Sequence, residues 1–135
     1  MAISRIKALF QSEIKDVWNV VTALDNYEWR SDLSKIEVIN DKQFVEYTKD
    51  GYATTFTITV MKPFERWEFD MENSNMRGHW TGVFSIRNGQ TEIEFAEDVT
   101  AKKLILRPFV KAYLKKQQKQ YVMDLRNVLQ LSKKR

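Results

Sequence analysis

Apolar and polar residues alternate near the start of the chain. Ile6, Ala8 and Phe10 fall in one phase and Lys7, Leu9 and Gln11 in the other, the period of a half-buried strand near residues 3–10. The period then changes. Ser12 is placed to cap a helix, with Glu13 at the positive end of its dipole. Ile14, Val17, Trp18 and Val21 follow at i, i+3, i+4 and i+7, one face of an amphipathic helix. Asp25–Asn26 interrupts it, and residues 27–33 (YEWRSDL) predict a second, short helical turn leading into a sheet.

From residue 34 to 100, turn signals recur at Asn40–Asp41, Asp50–Gly51, Lys62–Pro63, Asn73–Asn75 and Asn88–Gly89. They divide the stretch into six short β-rich runs, and Asp-Gly and Asn-Gly between alternating segments are strong hairpin signals. Phe56, Ile58 and Val60 oppose Thr55, Thr57 and Thr59. Trp67, Phe69 and Met71 oppose Arg66, Glu68, Asp70 and Glu72. Met76, Trp80, Phe84 and Ile86 share a phase with Gly78 and Gly82. One sheet face is therefore apolar and aromatic and the other is wet. The last segment predicts one long helix over 103–132, starting or restarting at Arg107–Pro108 because an interior proline is costly. Its predicted buried stripe is Phe109, Tyr113, Leu114, Gln117, Tyr121, Leu125, Val128 and Leu129. A sheet with one apolar face must cover it, and only this helix is long enough. The expected architecture is α+β: a seven-stranded curved antiparallel sheet wrapped around a long C-terminal helix, with two short helices after the first strand, in one domain spanning 1–135.

Composition narrows the chemistry. The 135 residues include no cysteine and one histidine, His79. That excludes a disulfide framework, a thiol nucleophile, a cysteine zinc site and a His–His metal motif, so no metal or cofactor is expected. The longest unbroken apolar runs are three residues, such as Ala8–Phe10, which fits neither a membrane span nor a secretory signal and predicts a cytoplasmic domain. No G-x-S-x-G nucleophile elbow or phosphate-binding glycine motif occurs. Charge is uneven. Residues 1–101 hold 11 basic against 17 acidic residues, whereas residues 102–135 hold 11 basic residues against Asp124 alone. The preferred reading of this basic segment is the solvated face of a long helix. The partner it would admit is an anionic membrane, held weakly; no nucleic-acid partner is expected.

The element order, with the segments Phe10–Trp18 (FQSEIKDVW), Tyr27–Ser31 (YEWRS), Lys62–Arg66 (KPFER) and Gly78–Gly82 (GHWTG), resembles the SRPBCC superfamily, the START-like, birch-pollen-allergen-type helix-grip proteins. The polyketide cyclase/dehydrase-like branch is the nearest in look. The likeness covers essentially the whole chain, with Ser12–Glu13 standing where many members carry Ala-Pro. It implies a cavity between sheet and C-terminal helix that holds a lipid-like or aromatic small molecule. Relatives include cyclases, lipid carriers, hormone receptors and chaperone cofactors, and the family has no shared catalytic constellation to lay onto these residues.

On the inferred concave face, the expected ligand-binding residues are Tyr47, Phe56 and Ile58, then Trp67 and Phe69, then Trp80 and Phe84, then Ile93 and Phe95. Tyr113 and Gln117 would project from the helix and Trp29 from the mouth. The same residues could instead fill a solid core; Gly78 and Gly82 beside Trp80 favour open volume or a closely packed helix. Glu97 shares the inward phase of Ile93, Phe95 and Val99, while Glu92, Glu94 and Asp98 point outward. A carboxylate on an apolar face must be paired, hydrogen-bonded or protonated, so Glu97 either fixes a ligand's polar end or reaches water at a bulge. His79 falls out of phase with Trp80, opposite Asp70 or Glu68, which reads as a cross-strand charge pair. These residues lean away from an enzyme and toward a binder of a small hydrophobic molecule. The alternatives are a polyketide cyclase or dehydratase with Glu97 or a tyrosine moving protons, and a surface-interaction protein acting through its basic helix.

Overall fold

The computed structural model describes residues 2–133. Strand β1 (Ala2–Phe10) leads into helix α1 (Ile14–Thr22). Six strands follow: β2 (Leu33–Val38), β3 (Gln43–Thr48), β4 (Ala53–Lys62), β5 (Arg66–Glu72), β6 (Met76–Arg87) and β7 (Gln90–Ala101). A 3₁₀ turn over Leu104–Leu106 then opens into helix α2 (Arg107–Lys133). All seven strands form one antiparallel sheet in the order β1-β7-β6-β5-β4-β3-β2. This is the helix-grip architecture expected from the pattern.

Turn chemistry explains the strand boundaries. Asn88 and Gly89 both adopt positive φ, 53° and 78°, the geometry of a two-residue hairpin whose twist matches its strands. Asn40 and Asn73 each accept two backbone N–H groups through their side-chain oxygens and so close the turns that follow β2 and β5. Pro108 lies in the first turn of α2, where its missing N–H is not needed.

Three local expectations change. Glu13, not Ser12, stands at the N-cap of α1 without a side-chain cap; Ser12 is buried, and its carbonyl accepts the Thr91 hydroxyl at 2.6 Å. Residues 27–33 form hydrogen-bonded turns in place of a second helix, because Ser31 is pinned to α2: its N–H and hydroxyl both donate to Asp124, at 2.9 and 2.8 Å. The buried stripe of α2 runs through Val110, Leu114, Gln118, Leu125 and Leu129. Phe109 and Tyr113 are exposed instead. The displacement follows from Gln118, whose amide donates to the Ser4 carbonyl and accepts the Ser4 hydroxyl. That buried polar pair fixes the roll of α2 against β1.

The main core joins Phe10, Val17, Trp18 and Phe84 under α1 to the aromatic face of β3–β7 and to Leu125 and Leu129. The glycines of β6 are filled from within the protein. A Cβ on Gly78 would lie 2.4 Å from the Asp98 carbonyl oxygen, and one on Gly82 would lie 2.5 Å from the Trp80 ring. They permit close packing and leave no room for a ligand. Gly78→Ala is expected to cost about 1–3 kcal/mol, the usual range for overpacking, because backbone has to move. An unchanged urea midpoint would count against this packing.

Candidate ligand-binding site

Helix α2 packs on β1 and β7 and touches α1. The concave face of β3, β4 and β5 has no helix seated on it, and a cavity of about 410 Å³ opens there. Its volume lies in the range of small-molecule pockets. The exposed wall residues Lys49, Asp50, Glu72, Arg77 and Tyr113 put its mouth between two hairpin turns and the N-terminal half of α2. The Tyr52 hydroxyl and Ser74 Oγ, 2.7 Å apart, tie those two turns together.

The deep wall is aromatic. Phe44 stacks on Phe56 with centroids 4.8 Å apart, and Phe69 stacks on Trp80 at 4.7 Å. Trp67 meets Phe69 and Trp80 edge-on at 5.2 and 5.8 Å. Trp67 is 3% exposed, and its indole N–H has no hydrogen-bond partner among the described residues. Buried indole N–H groups are ordinarily paired.

Opposite the aromatics lies a polar pole built from distant segments. Arg30 forks onto Asp32 with two contacts of 3.1 Å and reaches Glu46 at 3.4 and 3.5 Å. Its guanidinium sits 4.7 Å from the centre of the Tyr121 ring. Burial works against its charge, but Glu46, Tyr121 and Asp32 hold it firmly protonated. Burial raises the carboxyl of Glu46 above the usual carboxylate range, and Arg30 restrains the rise. Burial also raises the Tyr121 phenol. The segment carrying Arg30 is held by Asp124, which binds Ser31 and also accepts the Gln120 amide at 2.9 Å.

Glu97 faces the cavity from β7, in register with Trp80 on β6 and Ser4 on β1. It has no hydrogen-bond partner among the described residues. Burial, and then the charge of Glu46, push its carboxyl up to about 7, with Arg30 acting in the opposite sense. Near neutral pH this group can donate or accept a hydrogen bond. Among the described residues no cluster of His, Cys, Asp or Glu could hold a metal ion.

No family model matches the sequence, and no curated protein matches it either. Solved structures do resemble the chain in shape. A START superfamily protein from Mycobacterium smegmatis superposes with a TM-score of 0.82, over 96% of this chain and 97% of that one, at 12% identity. A conserved protein from Geobacillus kaustophilus gives 0.82 over 96% of each chain at 10% identity. DynU16, from the dynemicin biosynthetic locus, gives 0.79 at 13% identity, over 96% of this chain and 48% of that one. The fold is the START-type helix grip.

Within this START-type fold, Trp29, Phe56, Trp67, Phe69, Trp80, Phe95, Glu97, Tyr113 and Gln117 stand on the cavity wall as the sequence places them. Tyr47, Ile58, Phe84 and Ile93 do not reach it. Strand β3 runs in the opposite phase, turning Phe44, Glu46 and Thr48 inward and leaving Tyr47 outside, its ring 4.6 Å from the Lys35 ammonium. Ile58 packs against the core at a register shift between Ile58 and Val60. Phe84 and Ile93 are buried at the closed end, where the Trp18 ring packs 5.0 Å from Phe84. His79 lies outside the cavity, its ring nitrogens 2.7 Å from Asp70 and Glu68. Burial opposes its charge, but those two hydrogen bonds outweigh it and raise its pKa.

Arg30, Asp32, Glu46 and Asp124 were not among the expected site residues. The phase of β3 is ambiguous in sequence because Phe44 and Val45 are both apolar, and both are buried. The pairing of Arg30 with Glu46 exists only once the loop is docked.

A carboxyl whose folded pKa lies above its unfolded value stabilises the fold at low pH and loses that contribution as pH rises through the folded value. Glu97→Gln should therefore be more stable than wild type at pH 8, by about 1–3 kcal/mol, with a much smaller difference at pH 5. Urea denaturation at both values tests this; an equal effect at the two pH values would contradict the buried setting of Glu97.

Proposed function

We propose that the protein is a cytoplasmic binder of a small, largely apolar molecule carrying one polar end, seated between the sheet and α2. The cavity itself carries the reading. Its walls are rings that gain about 25 cal/mol per Å² of apolar surface removed from water, and its polar groups Glu97 and the Trp67 indole find no partner among the described residues. The START-type fold supports it. A non-catalytic role is preferred because, among the described residues, none stands within hydrogen-bond distance of Glu97 to pass a proton on.

Native mass spectrometry of the purified protein, before and after denaturation, should reveal a co-purifying small molecule. Nile red, a neutral apolar dye, should bind saturably at about one per chain and change tryptophan fluorescence. Met71→Trp, which adds bulk at the cavity wall, should weaken that binding at least tenfold while far-UV circular dichroism is unchanged. Non-saturable binding, or equal binding by a folded Met71→Trp, would remove the support.

A second surface favours the anionic-membrane contact. Leu104, Ile105 and Phe109 are 72%, 77% and 67% exposed, a cluster of large apolar side chains uncommon on a free surface. They are interleaved with exposed Lys103, Arg107 and Lys111. Apolar residues between cations suit an anionic lipid surface, so we infer that the start of α2 docks there. Among the described residues no helix is long and apolar enough to cross a membrane. Vesicles of phosphatidylserine and phosphatidylcholine should retain the protein at low salt, vesicles of phosphatidylcholine alone much less, and Ile105→Asp should release it. Absence of retention on anionic vesicles at low salt would exclude this contact.

A further inference from the structure

The cavity's charge runs against that of the chain. The chain carries a net +4, yet the interior wall sets Arg30 against Asp32, Glu46 and Glu97. At the rim, Lys49 and Arg77 are matched in number by Asp50 and Glu72, so the acidic excess belongs to the interior. Arg30 is engaged by Asp32 and Glu46, and Glu97 has no direct cationic partner among the described residues.

The groups around Glu97 are few. Glu46 from β3, Arg30 from the loop between α1 and β2, and Tyr113 from α2 interact with it electrostatically, and Asp32 and Tyr121 line the same cavity around Arg30. Burial raises both phenols, so they remain neutral near pH 7. On the sheet, Glu97 is flanked by Phe95 and Val99 on the same face of β7 and lies in register with Trp80 on β6 and Ser4 on β1, so two of these four neighbours are aromatic. A carboxylate ligand would add a fourth acid to a pole whose cation is already paired. A neutral ligand would leave the acidic excess as it stands. A protonated amine would reduce it, make charge-assisted hydrogen bonds to Glu97, and lie against aromatic rings that attract cations.

The geometry points to an amine as the polar end of the ligand: a molecule apolar over most of its surface, with its ammonium group at Glu97 beside Trp80 and Phe95. This rests on the reading of the cavity as a binding site and specifies the ligand class. It also sets a pH dependence. Glu97 must be ionised to pair with a cation, so binding below neutral pH displaces its proton, and affinity should rise from pH 6 to pH 8. His79 titrates on the outer face of the sheet, and a Glu97 variant separates the two.

Calorimetric titration with three ligands on one naphthylethyl skeleton, ending in an amine, a hydroxyl or a carboxylate, tests the assignment. Wild type at pH 8 should bind the amine at least tenfold more tightly than the alcohol and bind the carboxylate least. The preference for the amine should shrink several-fold at pH 6. Glu97→Gln should lose the preference for the amine over the alcohol, and its pH dependence. A carboxylate bound as tightly as the amine, or a preference that survives Glu97→Gln, overturns the amine assignment and leaves the binding cavity standing. Binding of Nile red with none of the three ligands does the same. Failure of all four to bind overturns both. Should the variant not fold, a pH-independent preference in wild type overturns the assignment.

Discussion

A seven-stranded sheet is wider than the one helix available to cover it. With strands about 4.8 Å apart, six spacings span roughly 29 Å, whereas a helix with its side chains is about 10–12 Å across. Curvature narrows the gap without closing it. Helix α2 settles over β1 and β7, where Gln118 and Ser4 exchange two hydrogen bonds and the Arg126 guanidinium donates to the Leu9 carbonyl and lies 4.7 Å from the centre of the Phe10 ring. Helix α1 closes one end over Phe84 and Phe95 through Trp18 and the core. The aromatic face of β3–β5 is left with neither, and the cavity follows from that mismatch.

The open side is finished by a loop and not by a helix. A loop over an apolar face brings polar backbone with it, and that backbone has to be satisfied. Asp124, buried on α2, meets this need by accepting from Ser31 and Gln120. Once the loop is docked, Arg30 is drawn inward, and a guanidinium out of water requires partners. Asp32 and Glu46 supply them. Glu46, one of the two acids that hold Arg30, adds to the cost of ionising Glu97 that burial already sets, and Arg30 offsets part of it. The same side chain is thus a liability for stability and, in the proposed function, the group that meets the ligand's polar end, a conflict typical of functional sites.

In the proposed function the exterior and interior therefore speak to different partners. Basic residues concentrate from residue 102 onward, and not all of them are simply solvated: Lys115 on α2 reaches the Arg5 carbonyl, and Lys102, ahead of the helix, reaches the Glu72 carboxylate at 2.7 Å. The apolar cluster at the start of α2 lies a turn before Tyr113 at the cavity mouth. A surface contact there and a ligand entering the cavity would share one end of the molecule.

Local periodicity by itself determined the strand, helix and turn order, and thereby the fold. The alternation of Trp67–Phe69–Met71, the Asn88–Gly89 turn and the Pro108 helix start each depend on residues close in sequence. It also placed Glu97 on the inner face, because that strand has one unambiguous phase. Tertiary structure alone decided the phase of β3, where apolar residues stand on both faces, and the roll of α2, where Ser4 and Gln118 are 114 residues apart. It also decided the polar pole. Arg30 and Glu46 have no shared pattern in the chain; each becomes a buried charge only when the loop closes on the sheet. A strand's face is a local property of alternating side chains, whereas the pairing of buried charges is a property of segments that meet only in the folded state.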